Sequence, residues 1–396
     1  MERRHFLRTT TAATLAAPAL LRAADELPSK LRVGVIGHTG RGSFGHGLDT
    51  VWTKVEETEI VAVADADAAG LEKAKGRLNL DSGFADYRTM LAEVRPEIVA
   101  VCPRHADQHH EMALAAIEAG AKGVYIEKPF VRTPAEADAI VAACLSSGAK
   151  LAVAHRNRYH PTLKAIDALI EAGKIGKVLE IRARGKGDAR GGAQDLWVLG
   201  SHSLNLVHYF GGAPRSCSAV LKKDGKPVTK ADVVEGAEGL GLLAGNELHA
   251  RFELESGLTA YFDSIANDGT KSAGFGLQII GSEGLLNLQC DKTILAHLAP
   301  GNPFQPTKGA RPWIPVFSDG LTEAEPNLEL IHEAQHHVAA VRDLVAAIRE
   351  DREPLCSAAD GALTVEMICA TFESHRQGGR AVAFPLQQRE NALSLL

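Results

Sequence analysis

Hydrophobic positions are arranged in two different ways along the chain, and the change predicts two domains. Between residues 30 and 155, short continuous apolar runs alternate with stretches rich in Ala, Leu, Glu and Lys that have helical spacing. The apolar runs are residues 31–36, 60–64, 98–101, 124–126 and 151–154. Continuous apolar strands alternating with helices are typical of a parallel sheet covered on both faces. Residues 30–155 are therefore predicted to form a doubly wound α/β domain.

The second half has longer strands and few strand–helix alternations. A helix is predicted over residues 161–172 and strands over 178–184, 248–254, 259–263 and 276–280, with Glu255-Ser256-Gly257 as a hairpin turn. Residues 302–315, rich in Pro and Gly, are predicted to be a loop, and helical spacing returns over 328–349 and 362–376. Residues 156–390 are therefore predicted to form an α+β domain with a large open mixed sheet.

The first 24 residues have the pattern of a targeting segment rather than of a folded element. Arg3-Arg4-His5-Phe6-Leu7 precedes an apolar, Thr-rich run that ends at Leu21, a pattern that resembles a twin-arginine export signal. The run is shorter than the ~20 apolar residues that span a bilayer. We expect export to the periplasm or another extracytoplasmic space without stable membrane insertion after signal removal; whether the segment is cleaved or kept as an anchor stays open.

Composition excludes several classes of function. Hydrophobic residues make up 45% and charged residues 23%, as in ordinary soluble globular proteins, and the net charge of −6 does not favour nucleic-acid binding. None of the six cysteines forms a CxxC pair, so they are predicted to be small buried hydrophobic residues. His105, His109 and His110 are spaced poorly for a closed metal site, and no metal is predicted.

A glycine-rich loop follows the first predicted strand. It contains Gly37, Thr39, Gly40 and Gly42, and Asp65 lies at the end of the next strand. Glycines at this point allow the backbone to approach a pyrophosphate, and a helix that follows the loop supplies amide groups to the phosphates. An acidic residue at the second strand favours NAD over NADP because it accepts hydrogen bonds from the ribose. The loop therefore predicts dinucleotide binding, with NAD preferred.

A second signature follows the fourth predicted strand, where Glu127-Lys128-Pro129 stands at the carboxyl end. This is the edge at which parallel sheets bind ligands. Together with the glycine-rich loop, the pattern resembles the glucose–fructose oxidoreductase/inositol dehydrogenase (Gfo/Idh/MocA) family over nearly the whole chain after the targeting segment. The residues that carry this resemblance are Val33–Gly37, Asp65, Pro103, His109, Ala119-Gly120, Glu127–Pro129, Asn157, Arg158, Pro161, Ala347–Pro354 and Gly379–Val382.

The resemblance implies roles for several of these residues. In the family, the lysine matched by Lys128 contacts the reacting hydroxyl and the nicotinamide, and the peptide bond matched by Lys128–Pro129 is often cis. Pro103, His109 and Glu127 are implied to lie at the cofactor. Members often form dimers or tetramers through the open sheet. Leu248, Phe252, Leu277 and Ile279 fit such an exposed face, and they fit equally a core under helices.

His202 is the predicted proton-transfer residue, since hydride removal from an alcohol needs a base with a pKa near the working pH. Many family members have Asp four residues before and three residues after this histidine, whereas this chain has Val198 and Asn205. Asp195 is the nearest acid in the sequence and is predicted either to orient His202 or to bind substrate.

The substrate is predicted to be a sugar or polyol. Its contacts are predicted at Lys128, His202 and Asn205 and, after the fifth strand, at Arg158 and Tyr159. Because free NAD is scarce outside the cytoplasm, the cofactor is predicted to stay bound and to be recycled. Paired oxidation and reduction of two substrates satisfies this condition, as does an NAD-dependent glycosidase or lyase route through a transient keto-sugar. A sugar-binding protein that has lost catalysis is the remaining alternative.

Overall fold

The computed structural model describes residues 30–396, so the predicted export segment lies outside the described residues. The first half forms a five-stranded parallel sheet in the order β2-β1-β3-β4-β5. Its strands are β1 (Leu31–Ile36), β2 (Thr58–Ala64), β3 (Ile98–Val101), β4 (Gly123–Ile126) and β5 (Lys150–Val153). Every residue of β3 and β4 is buried, as expected for strands covered on both faces. The predicted α/β domain is present.

Four helices connect these strands, and local sequence defines their ends. They are α1 (Ala68–Leu78), α2 (Tyr87–Val94), α3 (His109–Glu118) and α4 (Pro134–Ser147). Asp67 caps α1 by accepting a hydrogen bond from the Gly70 amide. Thr133 caps α4, Pro134 occupies its first turn, and Gly148 ends the helix in a left-handed conformation.

The predicted helix directly after the glycine-rich loop is wrong. Residues 37–50 form a series of turns, and only a four-residue 3-10 helix, Val51–Lys54, precedes β2. Gly40, Gly42, Gly45 and Gly47 all have positive φ angles between 63° and 89°. A right-handed helix needs negative φ at each residue, so this backbone cannot continue as one.

The second half contains a ten-stranded mixed sheet. Its strand order is β16-β15-β14-β13-β6-β12-β11-β7-β17, with β8 paired to β7 and only the β6–β12 pair parallel. The strands are β6 (Val178–Arg184), β7 (Pro214–Lys223), β8 (Lys226–Pro227), β11 (Glu247–Leu254), β12 (Thr259–Ile265), β13 (Gly276–Gly281), β14 (Gly284–Gln289), β15 (Ala296–Pro300), β16 (Ile314–Val316) and β17 (Val382–Ala383), while β9 (Val233–Glu235) and β10 (Leu242–Ala244) form a separate pair. Leu248, Phe252, Leu277 and Ile279 are buried in the core.

Six helices complete the second half. They are α5 (Thr162–Glu171), α6 (Ala193–Asp195), α7 (Ser201–Gly211), α8 (Leu328–Gln335), α9 (Val338–Glu350) and α10 (Ala358–Arg376). The predicted helix over residues 328–349 is interrupted at His337, because its φ of +65° does not fit a right-handed helix. The His337 ring instead shares a hydrogen bond with the Tyr125 hydroxyl, at 2.7 Å. Helix α9 packs on β4, β5 and the 3-10 helix, and α10 packs on α4. The C-terminal helices thus close the first domain.

All six cysteines are free; five are buried and Cys144 is half-buried. Burial raises the pKa of all six thiols, so they stay protonated and behave as hydrophobic residues. Within residues 30–396, no helix combines the length and apolar character that crossing a bilayer requires.

Candidate active site

Two cavities lie along the carboxyl edge of the parallel sheet, one on each side of the glycine-rich loop. The Asp65 cavity has a volume of about 130 Å³ and is lined by Gly37, His38, Ala64–Ala66, Ala85–Tyr87, Gln108 and Met112. The Lys128 cavity has a volume of about 140 Å³ and is lined by His46, Arg104, Glu127, Lys128, Ala154, Arg156, Arg190, Val198, Leu199, His202, Glu238, Asp291 and His337. Ligands of open α/β sheets bind along this edge.

The Asp65 cavity lies at the sheet edge where open α/β sheets bind a dinucleotide. It opens beside the ends of β1 and β2, and Gly40, with φ +86°, has open space where a side chain would stand. The Asp65 carboxylate accepts hydrogen bonds from the Thr39 amide at 3.1 Å, from the Thr39 hydroxyl at 2.7 Å and from the Asp67 amide at 3.0 Å. Asp65 therefore organises the loop and also lines the cavity.

Glycines allow the loop to lie directly on the strand ends. A side chain at Gly42 would approach the Arg104 amide nitrogen to 2.4 Å, and one at Gly45 would approach the Cys102 carbonyl oxygen to 2.5 Å. Any larger residue would push the loop away from the edge of the sheet. The next residue, His46, bonds through its ring to the Glu127 carboxylate. The loop is thus tied to the residue beside Lys128.

Lys128 is held at the end of β4 from several directions. Its amide donates to Glu127 Oε2 at 2.7 Å, its Nζ donates to the Val198 carbonyl at 3.2 Å, and its peptide bond to Pro129 is cis, as the family resemblance implies. Burial raises the pKa of Glu127, but the His46 hydrogen bond and the charges of His46 and Lys128 lower it to about 2. A fixed carboxylate charge therefore lies next to the lysine.

His109 connects the loops that follow β3 and β4. Its Nε2 lies 2.7 Å from the Pro103 carbonyl oxygen, and its Nδ1 lies 2.9 Å from the Pro129 carbonyl oxygen. The side chain is completely buried. His109 and Pro103 therefore fix the segment that carries Lys128 and do not line either cavity.

His202 reaches the Lys128 cavity from the first turn of α7. Its Nδ1 lies 3.4 Å from Asn157 Nδ2 and 3.5 Å from His155 Nδ1. Burial lowers the pKa of His202 to about 3; the Asp291 charge counteracts this effect, and the charge of Lys128 adds to it. The ring is therefore neutral at ordinary pH. The structure brings Lys128 and His202 into one cavity from two separate domains.

Asp195 lies elsewhere. Its Oδ2 accepts from the Ser264 hydroxyl at 2.7 Å and from the Lys186 amide at 3.1 Å, and the residue is completely buried. Burial raises its pKa, although the Ser264 hydrogen bond opposes the shift. The predicted pairing of Asp195 with His202 is not formed, because α6 directs this carboxylate toward β12. Asp195 instead joins α6 to the large sheet.

The predicted substrate contacts Arg158, Tyr159 and Asn205 do not line the Lys128 cavity. Arg158 donates to the Asn205 carbonyl at 3.1 Å and to Asp360 Oδ1 at 3.1 Å, and it stacks over the Tyr209 ring. The Tyr159 hydroxyl accepts from the Cys356 amide at 3.2 Å. These hydrogen bonds join the segment after β5 to α7 and to the start of α10. The three side chains therefore hold elements of the fold together and lie outside the cavity where they were predicted to contact substrate.

Asp291 and Asn157, which contact each other beside His202, are two of the residues that the sequence analysis did not assign to the site. Asp291 follows β14 and has φ +62°; it forms an ion pair with Arg156 at 2.9 Å. Burial raises its pKa, but the Arg156 hydrogen bond and the charge of His202 lower it overall. Nothing in the local sequence marks this turn, since its partners are more than 130 residues earlier in the chain. Among residues 30–396, no cluster of His, Cys, Asp or Glu is arranged to hold a metal ion.

Family models and known proteins agree on the identity of both domains. Residues 31–155 match the Gfo/Idh/MocA oxidoreductase model with an NAD-binding Rossmann fold, and residues 167–384 match the C-terminal α/β domain model of the same family. D-Apiose dehydrogenase of Paraburkholderia graminis is 25% identical over 356 residues, which cover 86% of this chain and 87% of that protein.

Two further comparisons extend this result. Inositol 2-dehydrogenase of Pseudomonas syringae is 33% identical over 186 residues, covering 46% of this chain and 54% of that protein. A structure of levoglucosan dehydrogenase with NADH and levoglucosan has a TM-score of 0.71 at 20% identity, covering 90% of this chain and all of that chain. The chain belongs to the Gfo/Idh/MocA family of oxidoreductases and has its NAD-binding Rossmann fold.

Proposed function

We propose that this oxidoreductase transfers hydride between NAD and a hydroxyl-bearing carbon of a sugar or polyol in the Lys128 cavity. One observation carries the proposal: Lys128 and His202 converge from separate domains in a cavity where ten of the thirteen lining residues are charged or polar. Such a lining suits a substrate with many hydroxyl groups, because each hydroxyl needs a partner once water is displaced. The relatives named after D-apiose, inositol and levoglucosan support the same substrate class.

The residues divide the work between binding and proton transfer. The glycine-rich loop and Asp65 would hold NAD, which would supply the acceptor for the hydride of the carbinol carbon. Lys128, held by the Val198 carbonyl and flanked by the Glu127 carboxylate, contacts the reacting oxygen. His202 contacts the same oxygen from the opposite domain. Arg104, Arg190 and Glu238 surround them and offer donors and acceptors to the other hydroxyls.

Deuterium transfer tests this function directly. Polyols and aldoses labelled with deuterium at each carbinol carbon are incubated with the protein and NAD, and the nicotinamide product is examined by mass spectrometry. We expect the label in NADH with at least one member of the panel. A protein that binds NAD but transfers no label from any sugar or polyol contradicts the proposed substrate class.

We also propose that the protein is exported and keeps its cofactor. The Arg3-Arg4 motif supports export, and the loop that ties His46 to Glu127 supports a closed cofactor site. Protein isolated from the extracytoplasmic fraction of its host is denatured, and the released dinucleotide is quantified. Recovery of the protein from that fraction supports export, and one NAD(H) per chain supports retention of the cofactor. A protein found only in the cytoplasm contradicts the first proposal, and one that exchanges NAD freely contradicts the second.

Association through the open sheet is a further proposal. Leu179, Val220 and Trp313 are partly exposed on or beside the large sheet, and polar side chains such as Arg182, Gln278 and Asn287 line a cavity there. Light scattering is expected to give the mass of a dimer or tetramer. A monomer at micromolar concentration contradicts this expectation.

A further inference from the structure

The Nδ1 atom of His202 faces nitrogen atoms and no carboxylate. Asn157 Nδ2 lies at 3.4 Å and His155 Nδ1 at 3.5 Å, while residue 198, where many family members have an aspartate, is valine. No hydrogen-bond partner of His202 Nε2 occurs among the described residues, and the ring lines the Lys128 cavity. The two ring nitrogens therefore have different surroundings, which decides where the single proton of the neutral ring resides.

Asp291 fixes the orientation of the Asn157 amide. Asn157 Nδ2 donates to Asp291 Oδ1 at 3.1 Å, and the Asp291 amide donates to Asn157 Oδ1 at 3.0 Å. Rotating the amide by 180° would place its oxygen against the carboxylate and its NH₂ group against the backbone N–H, so both bonds would be lost. The Arg156 guanidinium holds the other side of the Asp291 carboxylate.

The amide nitrogen therefore donates to His202. One of the two Nδ2 protons goes to Asp291, and the second is available only to His202 Nδ1, which must accept it with its lone pair. An accepting Nδ1 has no proton, so the neutral ring carries its proton on Nε2. An unprotonated ring nitrogen has one lone pair and accepts one directed hydrogen bond, and Asn157 Nδ2 at 3.4 Å is nearer to it than His155 Nδ1 at 3.5 Å. A carboxylate at the Asn157 position would impose the opposite arrangement, with the proton on Nδ1.

We propose that Asn157, oriented by Asp291, holds His202 as the Nε2–H tautomer, so that His202 donates a hydrogen bond to the substrate oxygen and Lys128 exchanges the proton. The proposal rests on the proposed hydride-transfer function. During oxidation the hydroxyl proton passes to Nζ of Lys128 in its neutral amine form, the C–H electron pair leaves as hydride to NAD, and a C=O bond forms. Lys128 thereby becomes an ammonium group, and the reverse reaction returns that proton. Asn157 and Asp291 act as positioning residues.

The tautomer can be measured without substrate or cofactor, which separates this proposal from the proposed function. Two-dimensional ¹⁵N–¹H spectra of the full chain labelled at histidine show which ring nitrogen carries the proton, and the His202→Gln variant identifies the His202 signals. We expect the proton on Nε2 at neutral pH. A proton on Nδ1 overturns the proposal even if the protein oxidises sugars.

Reversing the amide provides a second test. The double variant Asn157→Asp/Asp291→Asn exchanges the two groups, so that a carboxylate faces His202 and an amide faces that carboxylate in turn. We expect the proton to move to Nδ1 and the pKa of His202 to rise by about 1 to 3 units, because an opposite charge stabilises the imidazolium. A single Asn157→Asp variant places two carboxylates in contact, and the double variant avoids that repulsion.

The charged and titratable groups that face His202 are Lys128, His155, Arg156, Asp291 and Glu127. The double variant moves one carboxylate from position 291 to position 157, so the net charge around His202 does not change. Asn302→Asp, at an exposed position before β16 where the side-chain oxygen can still accept from the Phe304 amide, is the matched control and should leave the tautomer unchanged. In the double variant, the pH dependence of kcat/KM should shift upward with the His202 pKa. A wild-type tautomer retained in the folded double variant overturns the proposal.

Discussion

The Asp65 cavity and the Lys128 cavity lie on the same sheet edge but are constructed differently. The first is lined mainly by segments that directly follow β1 and β2, together with the first turns of α2 and α3. The second collects side chains from the ends of β4 and β5, from α7, and from the turns after β14 and before α9. The Asp65 cavity is therefore formed by segments that lie close together in the sequence, whereas the Lys128 cavity depends on how the two domains pack. Substitutions in the two cavities should consequently change different measured quantities.

The largest effect is expected at Lys128. Lys128→Met removes the group that exchanges the proton and should lower kcat by about 10²- to 10⁴-fold, with little change in NAD affinity. Steady-state kinetics and NADH binding measure the two quantities. Lys122→Met, at an exposed lysine paired with Glu97, is the matched control and should keep full activity. A Lys128→Met protein with wild-type kcat would remove Lys128 from the reaction.

Arg158 should affect stability and not substrate binding. Arg158→Met removes the cationic partner of Asp360 and the stacking on Tyr209, so the free energy of unfolding should fall by about 1 to 3 kcal/mol. Arg88→Met breaks an exposed pair with Glu111 and should cost less than about 1 kcal/mol. Urea unfolding and substrate KM are compared. A large rise in KM at unchanged stability would return Arg158 to the substrate site.

Acid should destabilise the fold through its buried histidines. Burial lowers the pKa of His160, His208 and His337 to about 4, and it also lowers the pKa of His155 and His202. The unfolded chain binds protons at these residues near pH 6.5, so folding stability is full above that pH and decreases as pH falls toward 4. The slope is about 1.4 kcal/mol per pH unit for each residue.

Urea unfolding between pH 8 and pH 5 measures this dependence. His208→Gln should make the slope shallower by one proton, and His336→Gln, at an exposed position, should leave it unchanged. Stability that rises as pH falls from 6.5 to 5 would contradict the predicted neutral state of these buried rings.

The smallest effect is expected in the Asp65 cavity. Asp65→Asn removes a negative charge from the cavity while an amide oxygen can still accept from Thr39, so the preference for NAD over NADP should fall by about tenfold. Titration with both cofactors gives the ratio of the dissociation constants. Asp81→Asn, at an exposed position, should not change the ratio. An unchanged ratio in Asp65→Asn would show that another group selects the cofactor.

Sequence patterns predicted the local features well. The predicted bounds of β1, β3 and β6 agree with the structure to the residue, and Lys128 could be placed at a sheet edge because apolar runs define strand ends. The turns of residues 37–50 were missed, since glycine spacing indicates close backbone approach but does not specify φ. Arg158 looked functional because a sequence cannot show that Asp360 and Asn205 consume its donors.

The least predictable feature is the group facing His202. Asp291 reaches the site from a turn 89 positions after His202 in the chain. The orientation of the Asn157 amide is fixed only by its contact with that turn. The acid nearest to His202 in the sequence, Asp195, accepts a hydrogen bond from Ser264 on the large sheet instead. Tertiary pairing across the domain boundary decides the chemistry here, and no residue spacing encodes it.

The most direct test is a structure of the protein with NADH bound, determined at a resolution that places the nicotinamide ring. We expect the adenosine in the Asp65 cavity, the glycine-rich loop against the pyrophosphate, and nicotinamide C4 facing the Lys128 cavity within reach of Lys128 and His202. A nicotinamide ring directed away from Lys128, or a protein that binds neither NADH nor NADPH, would contradict it.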